Sequence, residues 1–201
     1  MIAAFTLVVL ASAAGARVEG VYTSDMSRRT RAANASLAGL GRTRRILLGD
    51  TLLSEFTPDE IETILAHELA HHVHKDIPLS LLTQAVSVFV SFCLASVVLG
   101  WGVERLTLTG LADPAGLPIL ALLLGGIELV SLPLANAISR WRESLADDFA
   151  LRLTRKPEAF ASAMARLANQ NLAEADPEPW VVLLFHTHPP LRERIARALG
   201  G

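Results

Sequence analysis

Two histidines and a glutamate stand at a spacing that suits a catalytic metal ion. His67, Glu68 and His71 fit the pattern His-Glu-x-x-His. On a helix, residues four positions apart share a face, so the imidazoles of His67 and His71 can reach one ion. Glu68 can then take a proton from a water molecule that zinc has made more acidic. The pattern predicts a hydrolytic zinc site, and a helix with three ordinary surface residues is the alternative.

A third metal ligand has to come from elsewhere in the chain, because catalytic zinc takes three protein ligands and keeps one position open. His74 is too far from His67 to share the ion, about 10 Å along the axis at about 1.5 Å per residue. Glu143 is the better candidate, and Asp147, four residues later, shares its helical face. Glu143 would bind the metal, while Asp147 would accept a hydrogen bond from a ligand histidine and fix its tautomer.

The elements that must position these residues begin with a capped helix. Thr57 offers an N-cap oxygen, Pro58 suits the first helical position, and Glu60 stands three residues after the cap. Apolar residues then recur at helical spacing, as expected of a helix with one buried face. They are Ile61, Ile64, Leu65 and Leu69.

Short strands are predicted before this helix. Two further helices are predicted near the C-terminal end of the sequence. A strand is expected at residues 18–22, and residues 35–40 could pair with residues 45–48 through a turn, which together indicate a small antiparallel sheet. Amphipathic spacing predicts a helix over residues 157–173, with a last helix over residues 191–199.

Two long apolar stretches follow the motif helix. Residues 77–101 contain no charged side chain, and residues 115–138 contain only Glu128. Each has the roughly 20 residues that a bilayer-spanning helix needs, and Trp101 and Trp141 are placed to lie at the lipid–water boundary. The pair predicts a transmembrane hairpin. A hairpin buried in the core of a soluble enzyme is the alternative.

Basic residues are concentrated on both flanks of this hairpin. By the positive-inside rule, that distribution places the catalytic portion on the cytoplasmic side of the membrane. The flanking residues are Arg28, Arg29, Arg31, Arg42, Arg44, Arg45 and Lys75 before the hairpin and Arg140, Arg142, Arg152 and Arg155 after it, whereas the connecting loop has only Arg105.

Composition supports an integral membrane protein. The 201 residues suit a single domain over the whole chain, and a net charge of −2 gives no basic excess that would indicate nucleic acid as a partner. Apolar residues make up 51% of the chain and the mean hydropathy is +0.40, which is high for a soluble domain. Cys93 is the single cysteine, so no internal disulfide can form.

The apolar segment 1–16 has three interpretations. It could be a signal peptide, a helix whose N-terminal part is missing from this chain, or a short membrane anchor. The expected positive n-region is missing, which favours the second interpretation over the first.

Four segments together resemble the integral-membrane zinc metallopeptidases of the CAAX prenyl protease and HtpX type, within the gluzincins. They are residues 27–53, residues 66–72 around the zinc motif, residues 139–147 around Glu143, and residues 187–195. The resemblance implies a mainly α, zincin-like fold in which catalytic helices accompany a small antiparallel β element and a transmembrane helical hairpin.

The resemblance also implies roles for individual residues. It repeats the zinc ligands, the general base and the role of Asp147 argued above, with one zinc ion per chain. His188 would donate a hydrogen bond to the tetrahedral oxyanion, a role worth about 3 kcal/mol in comparable sites. Arg194 would hold the site together by ion pairing. The segment at Asn34 and Ala35 would form an edge strand that aligns the substrate backbone by strand addition.

The expected function is a zinc-dependent metalloendopeptidase that cuts protein or peptide substrates at or near the lipid bilayer. The alternative is a catalytically inactive membrane protein that retains a structural zinc site. The prenyl-protease branch has several more membrane spans before the metal motif, so specificity for prenylated peptides stays open. His72, His74 and His186 have no assigned role.

Overall fold

The computed structural model describes residues 4–30, 32–39, 41–105, 108–170, 174 and 176–200. Within these ranges the chain is mainly helical, with a three-stranded sheet before the motif helix and two long apolar helices after it. The predicted fold class is therefore confirmed. Residue 40 of the predicted strand and residues 171–173 of the predicted helix lie outside the described ranges.

The sheet has the strand order β1-β3-β2, with β1 at Gly20–Ser24, β2 at Ala35–Ala38 and β3 at Arg45–Gly49. β2 and β3 are antiparallel, as predicted, with Ala35 opposite Leu48. β1 instead runs parallel to β3, so the prediction of an antiparallel sheet is wrong for this strand. The chain reverses once between β1 and β2 and again between β2 and β3, which returns β3 to the direction of β1.

The first helix, α1 (Ala4–Ala13), forms within the apolar segment predicted at residues 1–16. Leu7, Leu10 and Ala11 are buried, and the helix packs against β1 and the motif helix. Phe5 lies exposed on the opposite side. A short helix, α2 (Asp50–Glu55), follows the sheet and leads to the motif helix.

The motif helix, α3 (Pro58–Val73), begins with the predicted capping box. The Glu60 N–H donates to the Thr57 hydroxyl oxygen at 3.3 Å, and the Thr57 N–H donates to the Glu60 carboxylate at 2.7 Å. The Glu60 carboxylate, whose residue is only 2% exposed, also accepts hydrogen bonds from Ser162 and Arg166. One side chain therefore both caps α3 and fixes α6 (Pro157–Gln170) against it.

Two long helices form the hairpin. α4 (Asp76–Arg105) starts directly after Lys75, whose φ of 56° lies in the left-handed region and turns the chain away from α3. α5 (Leu117–Thr154) is a 38-residue helix that continues through Pro133. Both are apolar enough to cross a bilayer, with a mean hydropathy of 2.1 in their most apolar windows, and only 11% and 0% of those windows are buried. The hairpin is therefore not buried in the protein core.

Both helices extend beyond the stretches predicted for them, which were residues 77–101 and 115–138. The larger difference is in α5, where the apolar stretch and the segment around Glu143 form one continuous helix. Two short helices end the chain. α7 (Pro179–Phe185) packs against α5, and α8 (Leu191–Ala198) packs against α6.

Candidate active site

The packing of α3 against α5 brings His67, His71 and Glu143 together. The Nε2 atoms of the two histidines lie 3.2 Å apart. Glu143 Oε2 lies 3.3 Å from His67 Nε2, and Glu143 Oε1 lies 3.5 Å from His71 Nε2. Three atoms able to bind a metal therefore converge on one point.

These distances fit a zinc ion. Tetrahedral zinc with ligand bonds of about 2.0–2.1 Å separates its ligand atoms by about 3.3 Å, close to the separations found here. Glu143 Oε2 is buried and makes no hydrogen bond of good geometry within the described residues, which leaves a negatively charged acceptor for a cation. Two imidazole nitrogens and one carboxylate oxygen form a donor set that zinc prefers in catalytic sites.

Each ligand histidine has a carboxylate behind its other ring nitrogen. His67 Nδ1 lies 2.9 Å from Asp147 Oδ1, and His71 Nδ1 lies 2.7 Å from Asp76 Oδ2. A carboxylate in this position orients the ring and keeps the Nε2 lone pair directed at the metal. The sequence predicts Asp147 as a partner of a ligand histidine, and the structure places it beside His67. Asp76 was missed, because it becomes a partner of His71 only through the left-handed turn at Lys75.

Arg194 makes a bidentate ion pair with Asp147. Arg194 Nε donates to Asp147 Oδ2 at 2.7 Å, and Nη2 donates to Oδ1 at 2.6 Å. Asp147 is only 1% exposed, so this paired geometry compensates a carboxylate that has lost its water. Burial by itself lowers the pKa of Arg194, but the hydrogen bonds to Asp147 outweigh it and the pKa is raised. The pair joins α5 to α8 beside the metal ligands.

The site favours positive charge at His67. Burial lowers the pKa of His67, but the carboxylates of Asp147 and Glu143 outweigh burial and raise this pKa to about 9. The same negative surroundings favour a divalent cation. Burial raises the pKa of Glu68, which makes its carboxylate a stronger base.

His188 lies at the edge of the site, with its Nε2 3.5 Å from Glu143 Oε2. Its Nδ1 lies 2.9 Å from the Thr187 hydroxyl. If that hydroxyl donates to Nδ1, the proton of the neutral ring is on Nε2, which faces the metal ligands. Burial lowers the pKa of His188, which favours this neutral form.

A cavity of about 570 Å³ extends from the metal ligands. His67, Glu68 and Glu143 lie on its wall, and α6 contributes Met164 and Leu167. The apolar stripe on α6 was predicted, but its role as a cavity wall was not. The remaining lining residues are Ile64, Ala168, Glu174, His186, His188, Pro189, Pro190, Leu191 and Arg194.

The segment predicted to bind substrate lies on an edge strand. β2 has β3 on one side only within the described sheet. The Gly49 N–H donates to the Asn34 carbonyl at 2.8 Å, and the alternation of an antiparallel ladder then turns the N–H and C=O of Ala35 and Leu37 towards the open edge. Asn34 and Ala35 do not line the cavity. The edge suits strand addition beside the cavity rather than inside it.

Comparison with known proteins shows which family has this sequence and fold. The profile of peptidase family M48 matches residues 5–200. The chain belongs to peptidase family M48. The M48 match extends over the sheet, the hairpin and both helices that carry the candidate metal ligands, and it confirms the resemblance to CAAX prenyl proteases and HtpX.

Relatives of the M48 chain include two bacterial proteins. The uncharacterized metalloprotease YhfN of Bacillus subtilis is 34% identical over 194 residues, which are 94% of this chain and 45% of YhfN. A protease HtpX homolog of Streptococcus thermophilus is 32% identical over 168 residues, which are 73% of this chain and 56% of the relative.

The solved structure of S. mikatae Ste24p has the same fold, with a TM-score of 0.82 and 25% sequence identity. The match covers 97% of this chain and 49% of Ste24p. The chain thus spans about half the length of the M48 relatives it matches.

Proposed function

We propose that this chain is a zinc-dependent metalloendopeptidase that hydrolyses peptide bonds of protein or peptide substrates at or near a membrane surface. The observation that supports it most is the convergence of His67, His71 and Glu143 on one point, with Glu68 on the wall of the same cavity. The similarity to YhfN, named a metalloprotease, and to protease HtpX homologs agrees with this chemistry.

The ligand residues would be His67, His71 and Glu143, one ion per chain. Bound zinc supplies a Lewis acid, which lowers the pKa of water and polarises the scissile carbonyl. Glu68 takes the proton of the attacking water and passes it to the leaving amine, a role that its raised pKa assists. His188 donates a hydrogen bond from Nε2 to the oxyanion that develops on the carbonyl oxygen.

Asp147 and Arg194 act behind the ligands. Asp147 Oδ1 lies 2.9 Å from His67 Nδ1, so a small rotation of the ring lets it accept the Nδ1 proton and keep the other nitrogen available to the metal. Arg194 keeps Asp147 ionised and fixed in place through two hydrogen bonds. The open edge of β2 at Asn34 and Ala35 aligns an extended substrate backbone by adding it to the sheet as a further strand.

The membrane position of the enzyme follows from the hairpin. α4 and α5 are long, apolar and exposed, which suits a lipid environment better than water. The basic residues on both flanks of the hairpin support the part of the proposal that puts the active site on the cytoplasmic side.

The test compares metal content with proteolysis in the purified full chain in detergent. Glu68→Gln should keep wild-type zinc content and lose cleavage of casein, whereas His71→Ala should lose both. His74→Ala is the matched control, because His74 is on the same helix but packs against Phe149 and should keep both zinc and activity. A metal chelator should abolish wild-type cleavage.

Two outcomes would contradict the proposal. Full cleavage by Glu68→Gln would remove Glu68 as the base. Bound zinc in the wild type without hydrolysis of casein or of membrane-protein substrates would favour the inactive protein with a structural zinc site.

A further inference from the structure

α7 is an apolar helix that the protein core does not cover. Its seven residues, Pro-Trp-Val-Val-Leu-Leu-Phe, include no polar side chain, and none of them is buried. Trp180, Leu183 and Phe185 are 60%, 49% and 62% exposed. The rings of Trp180 and Phe185 contact each other edge to face at 6.5 Å, so they form one apolar surface. A surface of this kind in water would lack the usual polar covering.

The backbone of α7 is tied to α5 by polar side chains. Asn136 Nδ2 donates to the Leu184 carbonyl at 2.6 Å, and Arg140 Nη1 donates to the carbonyls of Val182 and His186 at 2.8 and 2.7 Å. The last carbonyls of a helix have no partner within the helix and usually bond to water. In a lipid environment those groups need partners from the protein. Asn136 and Arg140 provide such partners.

The attachment point lies where α5 changes from apolar to charged. Asn136 belongs to the apolar stretch that ends at residue 138, and Arg140 and Arg142 follow it on the same helix. Trp141, which is 60% exposed, is the aromatic residue expected at a lipid–water boundary. α7 therefore lies beside α5 at the level of that boundary, next to the exposed surface of the hairpin.

We propose that α7 lies in the membrane interface and that lipid covers its apolar face, so that it forms a third membrane contact beside α4 and α5. This inference rests on the part of the proposed function that places the hairpin in a bilayer. The Val182 carbonyl also accepts the His186 N–H at 3.3 Å, whereas the carbonyls of Leu184 and His186 accept hydrogen bonds from Asn136 and Arg140. Lipid is the occupant that accounts both for the apolar face and for these protein partners.

The position of α7 bears on the active site through its short connection to His188. His186 follows α7 directly, and both His186 and His188 line the cavity. A bilayer that holds α7 would also hold this loop at the membrane surface. The membrane would then take part in positioning His188.

Tryptophan fluorescence tests the inference, because Trp180 reports on α7 and Trp101 reports on the hairpin. The full chain with Trp101→Phe and Trp141→Phe keeps Trp180 alone, and the chain with Trp141→Phe and Trp180→Phe keeps Trp101 alone as the hairpin reference. Both are reconstituted in phosphatidylcholine vesicles that contain a lipid brominated near the headgroup end of its chains. Aqueous iodide is the opposing quencher.

We expect brominated lipid, and not iodide, to quench Trp180, with blue-shifted emission. Leu183→Ser in the Trp180 protein should shift the emission to longer wavelength and reduce the lipid quenching, whereas Leu111→Ser, an exposed residue of the hairpin loop, should leave both unchanged. Iodide quenching of Trp180 while lipid quenches Trp101 would overturn the inference and leave the hairpin in the bilayer. Absence of lipid quenching at Trp101 would overturn the membrane placement and the inference with it. Protection of Trp180 from both quenchers would indicate a protein partner and overturn lipid as the occupant.

Discussion

Removal of the carboxylate behind His71 should weaken zinc binding without unfolding the chain. The perturbation is Asp76→Ala, which removes the acceptor 2.7 Å from His71 Nδ1. The Asp76 side chain is 14% exposed and that of His71 is 27% exposed, so water replaces this contact only in part. The ring would then rotate more freely and its other nitrogen would be a weaker ligand.

The size of the effect follows from the type of hydrogen bond that is lost. A hydrogen bond to a charged group contributes about 1.5–3 kcal/mol, and each 1.4 kcal/mol corresponds to about a factor of ten in affinity. We therefore expect Asp76→Ala to lower zinc affinity about 10- to 100-fold, in agreement with the usual cost of losing such a partner. Asp76→Asn keeps an acceptor oxygen without the charge and should lose less.

The assay is competition for zinc between the purified protein and a chromophoric chelator, followed by casein cleavage at saturating zinc. Asp25→Ala is the matched control, since Asp25 is an exposed carboxylate whose only ion pair within the described residues is with exposed Arg28. Wild-type zinc affinity in Asp76→Ala, with an unchanged thermal unfolding midpoint, would refute the role of Asp76. Equal losses in Asp76→Ala and Asp25→Ala would attribute the effect to net charge.

Three further predictions concern residues around the site. Arg194→Ala should destabilise the fold by about 3–5 kcal/mol, because the buried Asp147 carboxylate loses both hydrogen bonds from the guanidinium and keeps only His67 beside it, and thermal unfolding in detergent should show Arg194→Lys less affected. Burial raises the pKa of Glu60, but hydrogen bonds from Ser162 and Thr57 outweigh it and lower this pKa below its ordinary value of 4.5. The stability contributed by ionised Glu60 is therefore present above that ordinary value and is lost as the pH falls through the lowered pKa, so Glu60→Gln should flatten the acid side of the stability profile. Leu167→Ala should widen the cavity and shift cleavage towards bulkier apolar side chains in a peptide library, and an unchanged preference would place the specificity pocket elsewhere.

The predictable part of the site was fixed by helical geometry. His67 and His71 had to share a face of one helix, and Glu143 and Asp147 had to share a face of another. What the spacing left open was the distance between the two helices, and the packing of α3 against α5 provides it. Each shared helix face is a local property that the sequence predicts. The convergence of the three candidate ligand atoms is a tertiary property, because it depends on how the two helices pack.

Features that depend on a single backbone angle or on strand direction were not predictable in the same way. Asp76 stands five residues after His71, a spacing that lies off the face of a continuous helix, and only the left-handed turn at Lys75 brings it back. The parallel pairing of β1 with β3 depends on how the long connection between β1 and β2 crosses the sheet, and no turn motif encodes that path.

The length of α5 was underestimated because hydropathy changes abruptly at its middle. Apolar side chains up to residue 138 suggested a membrane span, and the charged residues that follow suggested a separate segment. Helix propensity does not change at that point, because the following residues, among them Arg140, Arg142 and Glu143, are acceptable helix formers. A change of environment along a helix is thus easily mistaken for its end.

The continuity of α5 has a consequence for where the chemistry takes place. Glu143 is five residues beyond the apolar stretch, which corresponds to about 7.5 Å along the axis at about 1.5 Å per residue. On the other side of the site, Asp76 holds His71 and is itself the first residue of α4. Both halves of the metal site are therefore attached to the two helices that form the hairpin, on the side where its ends meet. A bilayer that fixed the hairpin would also fix the height of the candidate ligands, so a peptide bond would have to approach to about 7.5 Å from the hydrocarbon boundary to be cut, a distance of about two extended residues at about 3.3 Å each.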